Sequence, residues 1–326
     1  MLATLVAAAL TTATLGTQPD TTIAVRPGIR LEVENFGGDI VVKTWDKDAV
    51  KIAADRAVHE KIEIARSGSA LIVRNASGGS KRMMRRWVPG NVSYRITAPR
   101  WMDLELSGVN CDIAVENSKG EVRGETVNGD ISVTGGARLV SVSSVTGEIT
   151  VREAEARIEA ASVNQDVRLL RVRGPIAAES VNGSIVLEQV DADSVDASTM
   201  NGCVVYEGAF REGGLYRLSS HNGLIDVAVP ERAGIDVSVS TFSGGFDSDI
   251  PLVLQRSKRG RHLSFTLGSG KARVELQSFQ GTIHLRRPGE ARAGCDQEEG
   301  RGENAEEGHG YGIEVHGPDE AEDSTE

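Results

Sequence analysis

The chain has 326 residues, of which 39% are hydrophobic and 4% aromatic, and its 36 basic and 47 acidic residues give a formal net charge of −11. This acidic balance argues against a nucleic acid as a partner, because nucleic-acid binding calls for a basic face. Three cysteines are too few for a disulfide framework, and no apolar run of membrane length follows the first 20 residues.

The first 19 residues begin with the apolar run MLATLVAAALTTATLG, which small and polar residues follow. The run is too short to span a bilayer comfortably and is typical of the apolar part of a signal peptide, although no Lys or Arg precedes Arg26. We therefore expect residues 1–19 to be a signal peptide, and the mature protein to be exported to the periplasm, the cell envelope or the medium. The alternative is an apolar start without that role.

Residues 20–103 alternate between apolar and polar side chains, as strands do. They contain one early copy, LEVENFGGDIVV, of a phrase that returns later in the chain. We expect a β-rich N-terminal cap that includes a first repeat, because repeat arrays need atypical ends. Within the cap, Lys81–Trp87 (KRMMRRW) is the densest basic cluster. It could bind phosphate or acidic glycans, but such a run is more often a solvated loop.

Residues 104–289 repeat one phrase at a nearly fixed interval, which is the signature of a repeat array. Aliphatic residues recur seven and two positions before the corner of each copy and two and four positions after it, and we expect all four columns to fill the core. A corner of the Asn-Gly type tolerates positive φ. The corner residues, spaced by 18, 18, 18, 18 and 19 positions, are Cys111, Gly129, Gly147, Gln165, Gly183 and Gly202.

Polar residues also recur in register: Ser or Thr three positions before the corner, and usually Asn just before it. In a solenoid each coil lies ~4.8 Å above the last, so equivalent residues become direct neighbours and can form hydrogen-bonded ladders. The sequence therefore predicts an all-β fold, a single-chain parallel β-solenoid with coils of about 18 residues.

Beyond Gly202 the phrase continues with looser spacing, at Gly223, Gly244 and Gly281. The last step, of 37 residues, indicates two coils, or one coil with an inserted hairpin near residues 251–262. His221 takes a column that valine or methionine holds elsewhere, so we expect it to be buried and hydrogen-bonded. Four aromatic residues are also expected in core columns: Tyr216, Phe242, Phe246 and Phe279.

Residues 290–326 form an acidic tail with thirteen Asp and Glu against two Arg, and their composition predicts disorder. Cys111 and Cys203 lie five coils apart in the predicted solenoid, roughly 24 Å, which is too far for a disulfide. We expect both to pack as small residues, and Cys295 in the tail to be the one candidate for an intermolecular bond.

A column of carboxylates follows the corners of four successive copies: Asp112, Asp130, Glu148 and Asp166. Carboxylates stacked ~4.8 Å apart repel one another and could attract a cation, for which calcium is the candidate ion. The alternative is that they are solvated corner residues, and the short GGxGxD repeat of calcium-binding β-rolls is absent. We expect no other cofactor.

No catalytic site stands out. The carboxylate pairs Asp191/Asp193 and Asp247/Asp249 lie on expected loops, where such pairs are far more often turns than acid–base pairs. The segment Gly268–Lys271 resembles a phosphate loop but lacks the required Gly and Ser or Thr. We therefore expect a protein that is not an enzyme.

The phrases FGGDIVV, VNGDISV, VTGEITV, VNGSIVL and SFQGTIHLRRP, over about Asp20 to Pro288, resemble those of the bacterial DUF4097 family. That resemblance implies an exported or envelope-associated β-helical protein, often labelled adhesin-like, with no catalytic residues to transfer. The corners at Cys111 and Gln165 depart from the usual glycine, and the acidic tail lies outside the resemblance.

The favoured hypothesis is a non-catalytic binding or scaffold surface whose partner is an envelope protein or a glycan. One alternative is a glycan-active enzyme with a groove between loops 191–196 and 247–262. Another is a structural protein that assembles through its coil ends.

Overall fold

The computed structural model describes residues 20–56, 61–76, 91–253, 255–256, 262–292 and 294. The expected signal peptide, the basic cluster Lys81–Trp87 and nearly all of the acidic tail lie outside these residues. The chain divides into two units, Met1–Ala293 and Gly294–Glu326, and all of the described strands belong to the first. Its described residues form strands and turns without a helix, so none contains a helix long and apolar enough to cross a membrane.

The strands before residue 130 are β1 (Asp20–Ala24), β2 (Arg30–Gly37), β3 (Ile40–Trp45), β4 (Ala49–Arg56), β5 (Lys61–Ser67), β6 (Ala70–Ala76), β7 (Val92–Pro99), β8 (Leu104–Asn110), β9 (Ile113–Ser118) and β10 (Val122–Asn128). Those in the middle of the chain are β11 (Ile131–Gly135), β12 (Ala137–Thr146), β13 (Ile149–Arg152), β14 (Glu155–Ser162), β15 (Val167–Leu170), β16 (Ile176–Ser180), β17 (Ile185–Asn201), β18 (Val204–Asn222) and β19 (Ile225–Ala228). The last are β20 (Ile235–Thr241), β21 (Phe246–Ser248), β22 (Gln255–Arg256), β23 (His262–Leu267), β24 (Ala272–Gln280) and β25 (Ile283–Arg286).

Strands before and after each corner form two stacks in which equivalent residues of successive copies pair in parallel. Val140 lies between Val122 and Ile158 in the first stack, and Ile149 lies between Ile131 and Val167 in the second. Those six residues are at most 1% exposed. The expected all-β, largely parallel and solenoid-like fold is therefore confirmed.

The expectation that all four aliphatic columns point inward is wrong for one of them. The column two positions before the corner faces outward, and its members Val127, Val145 and Val181 are 41–42% exposed. Side chains alternate along a strand, so the inward residues seven, five and three positions before the corner leave the residue two before it on the other face. This column is called the outer apolar column below.

The hydroxyl and amide ladders run along the axis as expected. The buried Ser144 donates from Oγ to the carbonyl of Gly129 at 3.0 Å, and Ser180 donates in the same way to that of Gln165 at 3.1 Å. On the outside, Asn201 donates from Nδ2 to Oδ1 of Asn182 at 2.9 Å, as equivalent Asn residues do elsewhere in the array. Each coil is therefore bonded to the next through side chains as well as backbone.

Close stacking, rather than positive φ, explains most of the corner glycines. A Cβ added to Gly147 would lie 1.9 Å from the carbonyl oxygen of Gly129, and one on Gly202 would lie 2.3 Å from that of Gly183. Among the corner glycines only Gly38 and Gly129 have positive φ. The expectation that the corner selects glycine for its φ is therefore wrong for most copies, where a side chain would collide with the neighbouring coil.

At both ends of the array, the spatial order of the strands differs from their order in the sequence. The last coil, β24 and β25, lies between β18/β19 and the outermost pair β20/β21. The expected order of corners 223, 244, 281 is therefore wrong: Gly281 stacks on Gly223, and Gly244 stacks on Gly281. At the other end, β2 and β3 lie between β6/β7 and β8/β9. Antiparallel strands flank both ends, among them the expected hairpin, β22 with β23.

A matched pair of glycine substitutions tests the corner geometry. We expect Gly147→Ala to lower the free energy of unfolding by about 2 kcal/mol or more, because the Cβ would force apart two backbones. Gly124→Ala is the control, since its Cβ would meet only side-chain atoms at ordinary contact distances, of Val142 at 3.4 Å and Ile131 at 3.7 Å. That change is expected to be neutral or to stabilise by about 0.4–1 kcal/mol. Urea unfolding measures both, and equal effects would contradict the stacked corner.

Candidate functional site

The carboxylate column has a structural role that the sequence did not reveal. Asp112 accepts a hydrogen bond at Oδ1 from the backbone N–H of Asp130 at 2.9 Å, and Asp130 accepts one from that of Glu148 at 2.7 Å. Asp166 does the same for the N–H of Ser184 at 2.7 Å. These carboxylates therefore bond one coil to the next at the corner, where the strand ladder is interrupted.

Arg168 supplies a countercharge within this column. Its Nε lies 3.2 Å from Oε1 of Glu148, and its Nη2 lies 3.4 Å from Oδ2 of Asp166. Among the described residues no group of three His, Cys, Asp or Glu side chains is arranged to hold a metal ion. Three carboxylates of the column accept hydrogen bonds from backbone N–H groups, and Arg168 lies between Glu148 and Asp166. These contacts explain the column better as bonding between coils than as a calcium site. The calcium site stays a prediction.

Two substitutions at Asp130 distinguish a hydrogen-bonding role between coils from a role in calcium binding. Asp130→Ala removes the acceptor for the N–H of Glu148 and is expected to lower the free energy of unfolding by about 1 kcal/mol. Asp130→Asn keeps an oxygen acceptor and should retain most of that stability. Melting curves with and without calcium provide the check. A rise in the wild-type melting temperature with calcium that both variants lose would instead make the column a metal site.

The candidate catalytic carboxylates are engaged in ion pairs. Residues 191–196 belong to strand β17 rather than to a loop. Asp191 accepts two hydrogen bonds from Arg211, at 2.5 and 2.7 Å, and those bonds lower the pKa of Asp191. Asp249 lies 3.1 Å from Nε2 of His284. Each of these two carboxylates therefore already has a side-chain partner that it would lose on acting as an acid or base.

The structure contains a buried charged cluster near the last coils that the sequence did not indicate. Arg286 donates from Nε to Oδ1 of Asp226 at 2.7 Å, and its Nη2 lies 3.2 Å from Oε2 of Glu207. His284 contacts the other oxygen of Asp226 at 3.2 Å. Asp226 and Arg286 are at most 1% exposed although strand alternation places them on the outer face. Buried charges are stable only when paired, so the cluster joins β18, β19 and β25.

The outer apolar column is the most unusual surface feature. Hydrogen bonding keeps its members in register from one end of the array to the other, and nine steps of ~4.8 Å make it about 43 Å long. Exposed Asn side chains border it on one side, and Ser, Glu and Gln side chains border it on the other. In stacking order its members are Phe36, Val109, Val127, Val145, Val163, Val181, Met200, His221, Phe279 and Phe242.

The aromatic end of this column forms a continuous stack. The rings of His221 and Phe279 lie 4.5 Å apart and 6° from parallel, and those of Phe279 and Phe242 lie 4.6 Å apart and 2° from parallel. Phe242 is 54% exposed and Phe279 38%, and His221 is half-buried. The predicted core positions of Phe242 and Phe279 and the buried histidine are therefore wrong, because this column faces outward. Tyr216 is buried as expected, and Phe246 is half-buried.

The cysteines agree only in part with expectation. Cys111 is free and buried, and its burial raises the pKa of the thiol. Cys203 is disulfide-bonded, so the prediction that it packs as a small free residue is wrong.

The comparisons with known proteins identify a family. No curated protein matches the chain. One similar solved structure is "a putative cell adhesion protein from Clostridium sporogenes ATCC 15579", 10% identical, covering 82% of this chain and 98% of that chain with a TM-score of 0.22. Another is "a putative adhesin (BF0245) from Bacteroides fragilis NCTC 9343", 14% identical, covering 83% and 100% with a TM-score of 0.30. The Toastrack model, DUF4097, matches residues 28–286, so the chain belongs to the Toastrack DUF4097 family.

Proposed function

We propose that this protein is a non-catalytic binding module, exported or associated with the cell envelope, and that the outer apolar column is its contact surface. The observation that carries the proposal is the column itself. Isolated exposed hydrophobic residues are ordinary on protein surfaces, but a contiguous apolar surface with a polar border marks an interaction site.

The array keeps this surface exposed, whereas its other outward columns are more polar. Val127, Val145, Val163 and Val181 are 39–42% exposed, and Met200 is 49% exposed. Valine at an outward strand position is not needed to fill the core, which the inward columns already fill. A partner laid along the column would bury apolar surface on coil after coil, which favours an adhesin-like or scaffold role with an extended glycan or an envelope protein as partner.

The two alternatives have less support. A glycan-active enzyme would need a free acid–base pair, whereas Asp191 is paired with Arg211 and Asp249 contacts Nε2 of His284. End-to-end assembly would need open parallel coil ends, whereas antiparallel strands flank both ends of the described array. Covered edges of this kind disfavour edge-to-edge association.

The proposed organisation of the chain follows from this role. Residues 1–19 act as the signal peptide, residues 20–103 cap the array and add its first repeat, and residues 104–289 present the contact surface. Residues 290–326 keep the exported protein soluble as an acidic tail, since thirteen carboxylates repel one another.

The proposal is tested by making the column polar without changing its shape. The triple variant Val127→Thr, Val145→Thr and Val163→Thr keeps the β-branched side chains and removes apolar surface on three successive coils. The full chain is screened on immobilised glycans, peptidoglycan fragments, lipids and envelope proteins. We expect at least about a tenfold loss of affinity for the bound partner, equivalent to about 1.4 kcal/mol.

The control is the double variant Ser132→Ala and Thr150→Val, which lies in the outward column after the corner and leaves the contact surface intact. It should bind like the wild type. Equal binding by the triple variant, or a turnover of any glycan that is lost on mutating one carboxylate, would contradict the proposal.

A further inference from the structure

A groove runs along the aromatic end of the outer apolar column. It is an open surface groove of about 470 Å³ that crosses four neighbouring strands, β17, β18, β24 and β20. One wall is apolar and belongs to the column: Met200, His221, Phe279 and Phe242. The other wall is polar and lies two residues earlier on the same strands: Ser198, Ser219, Gln277 and Ser240.

The two walls have complementary chemistry. Both faces of the Phe279 ring are covered, by His221 and by Phe242, so the ring turns its edge outward. Ring edges carry the positive end of the aromatic quadrupole and attract oxygen atoms. The opposite wall offers hydroxyl and amide groups that both donate and accept hydrogen bonds. A ligand therefore meets apolar contact on one side and a row of hydrogen-bonding groups on the other.

No Lys, Arg, Asp or Glu lines this groove in the described part of the chain, and His262 and His221 are the titratable groups along it. The nearest row of charges lies farther out on the same strands, where Arg217 is paired with Glu275 at 3.1 Å. Among the described lining residues an anionic ligand would thus meet no Lys or Arg, and a cationic ligand no carboxylate. The groove favours a neutral ligand.

Its dimensions and bonding disfavour two peptide modes, a helix in the groove and an added strand. The walls are two residues apart on one strand, or about 6.7 Å, whereas an α-helix with its side chains is 10–12 Å wide. Strand addition needs an unpaired sheet edge, and β18 and β24 are paired on both sides. A narrow, neutral ligand rich in hydroxyl groups matches both walls.

We propose that this groove is a binding site for a neutral oligosaccharide, which lies along the solenoid axis. Three coil steps of ~4.8 Å give the groove a length of about 14 Å, which suits a few sugar units. Because Ser198, Ser219, Gln277 and Ser240 repeat at the coil spacing, they present similar groups to successive units of a repeating ligand. The inference rests on the proposed function and specifies its ligand class at one end of the contact surface.

The test is calorimetric titration of the full chain with defined hexasaccharides. The neutral probes are the β-1,4- and α-1,4-linked hexamers of glucose and the β-1,4-linked hexamer of N-acetylglucosamine, and the anionic probe is hexagalacturonate. We expect at least one neutral hexamer to bind with a Kd of about 1 mM or tighter, and the anionic hexamer to bind at least about tenfold more weakly.

Variants locate the site. Phe279→Ala is expected to weaken binding of the neutral hexamer about tenfold, by removing the middle ring of the apolar wall. Gln277→Ala truncates an exposed side chain with little risk to folding and should weaken it about threefold. Ser132→Ala, on the outward column after the corner and outside both the contact surface and the groove, is the control and should leave the affinity unchanged.

The outcomes separate this inference from the proposed function. If no neutral hexamer binds, or if binding is unaffected by both Phe279→Ala and Gln277→Ala, the oligosaccharide site is overturned. The proposed function then still stands when the triple valine variant reduces binding to another partner, a protein or a lipid. Preferential binding of hexagalacturonate would also overturn the neutral-ligand assignment.

Discussion

Close contact between successive corners is the constraint on which the rest of this structure depends. The carbonyl of Gly129 lies where a side chain on Gly147 would be, and the same relation recurs between Gly183 and Gly202. Coils held this closely must repeat in register, since a shift of one residue would turn inward columns outward. Once the register is set, buried hydroxyls such as that of Ser144 reach corner carbonyls, and corner aspartates such as Asp130 reach the backbone N–H of the next coil.

The same register creates the surface that we assign to binding. Residues of one type on an outward column become a continuous line of contacts, so the valine, methionine and aromatic residues two positions before the corners yield a surface about 43 Å long. The inward columns would fold equally well beneath polar residues at that position. Towards Phe242 the apolar wall becomes aromatic and faces a row of hydroxyl groups, so that the contact surface ends in a groove.

The parallel pairing and three of the four aliphatic inward columns could be predicted from the sequence, because equivalent residues recur at a nearly fixed spacing. The order of the last coils could not be predicted, because the sequence at a corner does not indicate which other corner it stacks on. Gly281 stacks on Gly223, where Gly244 was expected. The exposed ring of Phe279 was predicted as core because its column is aliphatic in other copies. Counting alternation from the buried Ser278 would have placed it outside.

The most direct test of the account measures whether the outer apolar column is covered where the protein works. Single cysteines replace Val145 in the column and, as control, Ser132 on the outward column after the corner, and thiol labelling rates are compared between purified protein and intact cells that produce it. The account predicts that the thiol of Val145→Cys reacts readily in the purified protein and is protected in cells, while that of Ser132→Cys reacts alike in both. Equal labelling of Val145→Cys in the two settings would contradict it.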